Sequence, residues 1–316
     1  MKSVLIVGAG LAGLTAACEL SKKGYQVTVL DKGRGVGGRL ASRSIDGARF
    51  DHGAQYFSAK TPEFQQFVSI LQKANHVQKW LPNATFEHPR YVGVGGMNGV
   101  AKYLAESVDV RANEKVILIE KTEKGCIVRT EIGNQYEADI LILTPPAPQT
   151  LALIQASHLT LLNDIDLALQ AIIYDPCLAL MVTLQQPSKV PANGGIVLDN
   201  HSIAWIADNQ QKGISALPSV TIHASVSFSK TYLDGDLQQA ATLLLKAAEP
   251  WIPAELVNTW QLHRWRYSMA SKRFDNPFLF TNQPFPIYFA GDGFGIGNVE
   301  GAFLSGLAVS QDFSGL

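Results

Sequence analysis

An α/β fold in two domains is what this sequence predicts, with a mostly parallel, doubly wound sheet drawn from both ends of the chain and a mixed β-sheet plus helices between them. Three observations carry that reading. Residues 4–31 run strand (VLIV), glycine turn (GAGLAG), helix over 11–23 closed by Gly24, then strand (QVTVLD), which is a βαβ unit with a parallel pair. Residues 286–292 (PIYFAGD) give another buried strand, followed by a glycine loop and a helix starting near Val299, so the chain returns to its first domain. From about 148 to 266 the texture changes to strand-like runs between Gly, Asn and Pro turns. A chain of 316 residues is long enough for two cores. The expected division is 1–59, 95–148 and 270–316 for the nucleotide domain and 60–94 and 149–269 for the substrate domain.

Between the landmarks, Thr61, Pro62 and Glu63 open a helix in cap and proline order, with Phe64, Phe67, Val68 and Leu71 on one face. A helix to Glu106 follows the turn at 94–99. Strands then fall near 108–111, 116–121, 126–130 and 140–143, a meander returning to the main sheet. The second domain takes its strands from CLALMVTL, GIVLDN, SIAWIAD and SVTIHASVSF, and a helix over 237–248. No internal repeat or low-complexity tract interrupts the pattern.

Composition narrows the function. A 47% apolar, 17% charged chain is a globular enzyme's composition, and a net charge of -1 sets up no field for nucleic acid or an anionic membrane. Cys18, Cys126 and Cys177 are odd in number and widely spaced, which predicts neither a disulfide framework nor a zinc site, and no metal is expected. The short apolar start at 4–7 reads as structure rather than a signal, and no apolar run is long enough to span a bilayer. The expectation is a soluble cytoplasmic protein.

Gly8, Gly10 and Gly13 form GxGxxG directly after a strand and at the head of a helix, the context in which the motif has mechanical meaning. The first glycine permits the turn, the second lets backbone approach a pyrophosphate, and the third lets helix and strand pack closely. Amides at Leu11, Ala12 and Gly13 then face phosphate. Asp31 ends the second strand, where a carboxylate accepts from ribose hydroxyls; a 2′-phosphate is disfavoured there. The alternative is a glycine turn in an unrelated α/β protein. Lys32 leads into Gly37, Gly38 and Arg39, a glycine doublet plus guanidinium that adds donors for the two charges of the pyrophosphate. Alone, such a loop is a solvated turn. Gly291 and Asp292 close the last strand and suit ribityl hydroxyls, while the helix opening with Asn298, Val299 and Ala302 suits the pyrimidine edge of a flavin, whose reduced form carries negative charge there. Together the pieces predict FAD.

GAGLAG, DKGRGVGGRLASR and FAGD with GNVEGAFLSG resemble the flavin amine oxidase superfamily, a branch of the Rossmann-like FAD-binding fold of the hydroxybenzoate hydroxylase type. FDHGAQYF at 50–57, SIAWIADNQQKG at 202–213, VTIHAS at 220–225 and HRWRYS at 263–268 are similar to the renalase family across most of the chain. The resemblance implies an oxidase that takes hydride from 2- or 6-dihydro isomers of NAD(P)H to give NAD(P)+, with O2 reoxidising the flavin to yield H2O2. It also implies that His52, Gly53, Ala54, Gln55, Val116 and Thr144 lie against the cofactor. The strand here has Phe228 where the family often has tryptophan. No cysteine stands in or just before 289–301, so FAD is expected to be noncovalent.

A dihydropyridine that loses hydride becomes aromatic, so the step needs positioning but no base, and the sequence offers no sharp acid/base constellation. Substrate-side candidates are His223, Asn209, Gln55, Trp265, Arg264 and Tyr267. For His52 the alternative is a histidine bonded to backbone, and for His223 a core or surface histidine. An amine oxidase or desaturase of the same superfamily stays open, as does a binding scaffold with FAD only structural. Oligomeric state is not legible.

Overall fold

The computed structural model describes residues 2–80, 88–198 and 201–313. The chain divides by contacts into two compact units: Met1–Gly38, Ala101–Ile173 and Ala270–Leu316 form the first, and Arg39–Val100 and Tyr174–Met269 the second.

The first unit is built on a six-stranded sheet in the order Leu279–Thr281, Ile287–Phe289, Ile140–Leu143, Ser3–Val7, Gln26–Leu30, Asp109–Arg111. All pairs are parallel except the first. Val4, Leu5, Ile6, Val29, Leu30 and residues 140–143 are buried without alternation, as a sheet covered on both faces requires. The order reverses at Ser3–Val7, whose chain continues to Gln26–Leu30 on one side while Ile140–Leu143 lies on the other. The C-terminal end of that strand is therefore the topological switch point where open α/β sheets bind ligands. A separate antiparallel sheet joins Val116–Lys121, Cys126–Thr130 and Gln135–Ala138, the last of which the sequence pattern did not reveal. Helices Ala147–Ala156 and Asn163–Gln170 also belong here, so residues 149–173 leave the substrate domain to which the sequence reading gave them.

The second unit holds a five-stranded sheet in the order Gly195–Val197, Ile203–Asp208, Ser219–Ala224, Ile173–Leu184, Val257–Lys272. Leu178, Leu180, Val182, Ile206, Val220, Ile222 and Ala224 turn to one face and pack on Leu237–Ala248 and Phe228. Strand alternation sends Ala179, Met181, Thr221 and His223 to the opposite face. There the hairpin Ser42–Ile45 and Ala48–Asp51 packs, with Ile45, Ala48 and Phe50 on Met181. This packing moves residues 39–59 into the second unit, against the boundary expected at 59. The helix Pro62–Lys73 buries the predicted face of Phe64, Phe67, Val68 and Leu71.

One segment changes type. SVTIHASVSF is strand only to Ala224; Ser225 then caps the helix Val226–Tyr232, its Oγ accepting from Phe228 N at 3.1 Å. A serine followed by β-formers reads as strand until the cap geometry is seen. The GIVLDN run is strand over Gly195–Val197, and its Asp199 and Asn200 lie outside the described residues. Among the described residues no helix is long and apolar enough to cross a membrane.

Candidate functional site

In the first unit the site is made of main chain. A Cβ on Gly8 would stand 2.3 Å from Thr144 Oγ1, and one on Gly13 would stand 2.0 Å from Gly8 O. Thr144 Oγ1 donates to Val7 O at 2.9 Å and sits 3.2 Å from Gly8 O, so the strand at 140–143 ends on the turn it helps to shape. Gly10 opens the first helix, Leu11–Lys22, without a side-chain cap, and a Cβ there meets nothing within 4 Å. The amides at Leu11, Ala12 and Gly13 belong to the first turn, where main-chain N–H groups have no acceptor within the helix, as a pyrophosphate needs.

Asp31 is fixed by two main-chain donors, Ala9 N to Oδ2 and Gly33 N to Oδ1, both at 2.7 Å. These leave further lone pairs on each oxygen for ribose hydroxyls. Glu114 N donates to Asp31 O and Asn113 N to Gly33 O, placing Val116 and Lys32 beside the same turn. Gly37 N donates to Ala9 O at 2.8 Å, and Gly38 has a φ of 53, so the glycine doublet runs along the first turn. Gly291, with N donating to Ser305 Oγ at 2.9 Å, lies with a would-be Cβ 3.4 Å from Thr144 O. Asp292 is buried, and the last helix, Asn298–Asp312, starts from Gly297 without a side-chain cap. Asn298, Val299 and Ala302 occupy its first turns. These features fit FAD: a cradle closed to any Cβ at Gly8 and Gly13, and two helix starts with amides to spare.

The second unit works with side chains. Asp51, His52, Gly53 and Gln55 follow the hairpin directly. His52 is buried, its ring stacked on Trp265 at 5.3 Å and met edge-on by His263 at 4.9 Å. Its backbone carbonyl accepts from Trp265 Nε1 at 2.7 Å and contacts His223 Nε2 at 3.3 Å. Its own Nδ1 is buried with no protein partner. Gly53 packs where a Cβ would stand 2.0 Å from Arg39 O, and Ala54 N donates to the same carbonyl. Arg39 Nη1 reaches Tyr267 O and Ser268 O, and its guanidinium lies 5.6 Å over Tyr174.

Burial keeps all three rings uncharged at neutral pH. It pushes His52 down to about 3, with His263 and Arg43 adding repulsion, and His223 and His263 down to about 4. Behind them lies a charge pair that the sequence reading missed. Lys212 Nζ donates to Asp51 Oδ2 at 2.9 Å, and both side chains are 0% exposed. Burial lowers the Lys212 pKa while Asp51 opposes the shift. Asp51 Oδ1 also accepts from Ser42 Oγ and Met97 N. The available signal was adjacency: Asp51 sits inside FDHGAQYF and Lys212 inside SIAWIADNQQKG. Yet a charged residue in a motif reads as solvated until its burial is known.

Two substrate-side candidates are placed elsewhere. Arg264 lies on the helix face of Val257–Lys272, its Nη1 on Leu233 O, because His263, Trp265 and Tyr267 take the other face by alternation. Asn209 is 0% exposed, with Nδ2 donating to Thr221 Oγ1 and Oδ1 without a hydrogen-bond partner. His223, Gln55 and Trp265 come together around His52, and Tyr267 stands further along their strand face.

Residues 6–71 match the NAD(P)-binding Rossmann-like domain, and residues 69–313 match the flavin containing amine oxidoreductase family. Renalase from Mus musculus is 29% identical over 342 aligned positions, 98% of each chain. A 1-hydroxycarotenoid 3,4-desaturase from Flavobacterium sp. is 32% identical over 142 positions, 39% of this chain and 29% of its own. Among solved structures, a putrescine oxidase variant superposes with a TM-score of 0.75 over 99% of both chains at 16% identity, a likeness of fold.

Proposed function

The chain belongs to the flavin containing amine oxidoreductase family and is an FAD-dependent oxidoreductase with noncovalent cofactor; from that premise we propose that it oxidises 2- or 6-dihydro isomers of NAD(P)H to NAD(P)+. The observation that carries the proposal is the chemistry around His52. His52, His223 and His263 are held neutral, and the two buried carboxylates among the described residues of this unit, Asp51 and Asp208, are both engaged, Asp208 by Ser188 Oγ and Gln211 N. A site so arranged offers hydrogen bonds and aromatic surface without a proton acceptor tuned to neutral pH. Loss of hydride from a dihydropyridine asks for nothing more.

FAD, when bound, would supply the hydride acceptor and a route for the electrons to O2, which would give H2O2. Residues of this chain bind and orient. In the first unit the turn at Gly8–Gly13, with Asp31 and Gly38, would hold the nucleotide end, and Gly291, Asp292 and the start of the last helix the ribityl and pyrimidine end; in the second unit Arg39 and His52 to Gln55 are the candidate cofactor residues. Trp265 and His223 present an indole and an imidazole to a flat, uncharged dihydropyridine and its carboxamide.

The test is anaerobic mixing of the flavin-loaded protein with the 6-dihydro isomer of NADH, with NADH itself and with a panel of amines, followed at the flavin absorbance. Rapid bleaching by the isomer alone is expected. Bleaching by an amine and not by the isomer would replace this reading with amine oxidation, and no bleaching by any of them would favour a scaffold.

A further inference from the structure

We propose that Lys212 is a positioning residue: with Asp51 it locks the amide of Gln55, and through that amide it keeps His223 protonated on Nε2, leaving Nδ1 as a fixed acceptor for an N–H donor of the substrate. The geometry leaves one consistent assignment of protons. Lys212 Nζ, besides its bond to Asp51, reaches Gln55 Oε1 at 3.4 Å, and an ammonium can only donate. The oxygen of that amide therefore faces Lys212. Gln55 Nε2 has two protons, and two backbone carbonyls take them at the shorter distances, Asp51 O at 2.7 Å and Gly53 O at 3.1 Å.

His223 Nε2 lies 3.3 Å from the same Gln55 Nε2 and 3.3 Å from His52 O. With the amide protons spent elsewhere, the ring nitrogen finds only the carbonyl, so it must carry the proton and donate it. A neutral imidazole with its proton on Nε2 has a lone pair on Nδ1. A primary carboxamide, as a nicotinamide carries, is a ligand of the matching kind. A carboxylate is not.

The pair is more than packing for 51–55. Asp51 O also accepts from Thr221 Oγ1 at 3.0 Å, and Thr221 in turn accepts from Asn209 Nδ2. The strand that carries His223 and the segment that carries Gln55 thus share one buried network with the ion pair. Removing the Lys212 donor leaves Gln55 Oε1 buried without a partner and frees the amide to turn, so that one of its protons can be aimed at His223 Nε2 and the ring proton can move to Nδ1.

The substrate part of this proposal rests on the oxidase reading; the ring assignment does not. Flavin-loaded protein labelled with 15N-histidine is read by long-range proton–nitrogen correlation, which identifies the protonated ring nitrogen. The native protein is expected to show one sharp His223 ring with its proton on Nε2. A Lys212→Met, Asp51→Asn double variant, which empties the core of both charges together, is expected to keep its flavin but to give His223 two sets of signals or a displaced Nε2–H. Its KM for the 6-dihydro isomer is expected to rise about tenfold with kcat within about threefold.

A native ring protonated on Nδ1, or a double variant with an unchanged His223 ring and unchanged KM, overturns the proposal. Should the double variant not fold, Gln55→Leu spares the ion pair and leaves His52 O as the ring's acceptor, so one His223 set with its proton on Nε2 is expected; a proton on Nδ1 there overturns it equally. If no dihydronicotinamide bleaches the native flavin, the oxidase reading fails while the ring assignment is still read directly.

Discussion

The candidate site in the first unit is built of backbone and that in the second of buried side chains. Around Gly8, Gly13, Thr144 and Gly291 the decisive quantity is the room a Cβ would occupy, and the polar groups on offer are main-chain amides and the carboxylates of Asp31 and Asp292. Around His52 the decisive quantity is charge: an ion pair at 0% exposure, three rings held neutral, and carbonyls that each accept twice. A backbone cradle tolerates changes in the side chains that surround it, whereas a dry polar network fails when one member is removed. The two candidate sites should therefore respond differently to mutation and to pH.

The sharpest way to break the comparison is Asp51→Ala, which leaves the Lys212 ammonium buried and unpaired. A loss of about 3–5 kcal/mol in unfolding free energy is expected, measured by urea titration; a loss below about 1 kcal/mol would show that the pair is dispensable. Gly13→Ala comes next, since its methyl would stand 2.0 Å from Gly8 O. Backbone must shift, at about 1–3 kcal/mol, and the flavin content of the purified protein is expected to fall several-fold while the His223 ring signals stay as they were.

Acid separates the units without mutation. The histidine at 52 is depressed to about 3 and that at 223 to about 4, from an ordinary value near 6.5, so the unfolded chain binds protons that the folded chain refuses. Their contribution is complete above the unfolded value and is lost as pH falls from about 6.5 to about 4 for His223 and to about 3 for His52. At pH 5 each is expected to cost about 2 kcal/mol relative to pH 8. His52→Phe, which keeps a ring on Trp265, should flatten that part of the pH–stability curve; an unflattened curve would place the acid sensitivity elsewhere. Arg264→Ala is the smallest change expected, within about 0.5 kcal/mol and twofold in kcat/KM, because its guanidinium lies on the helix face of its strand. A tenfold loss of kcat/KM would return Arg264 to the site.

Much of the first unit was legible because its signals are local. A strand, three glycines at fixed spacing and a helix lie within a few residues of one another, and the acid at Asp31 ends the very next strand; each follows from what backbone and period permit. The second unit was legible as elements and motifs, down to the buried face of Pro62–Lys73, but not as chemistry. Arg264 and Trp265 are neighbours in sequence and stand on opposite faces. Ser225 was read as strand and acts as a cap. Residues 39–59 belong to the second unit because Phe50 and Ile45 pack on Met181, a contact across more than a hundred positions that no local pattern records.

By itself, then, the sequence determined the nucleotide turn, the cofactor and the family, since those depend on short-range stereochemistry that a few consecutive residues specify. Only the tertiary structure decided which charges are dry. Asp51 and Lys212 are 161 positions apart, and nothing in either residue's surroundings along the chain says that it will be buried, that the other will neutralise it, or that the amide between them will choose which nitrogen of His223 keeps its proton. Burial and partnership are properties of the assembled core, and electrostatic consequences follow from them rather than from residue type.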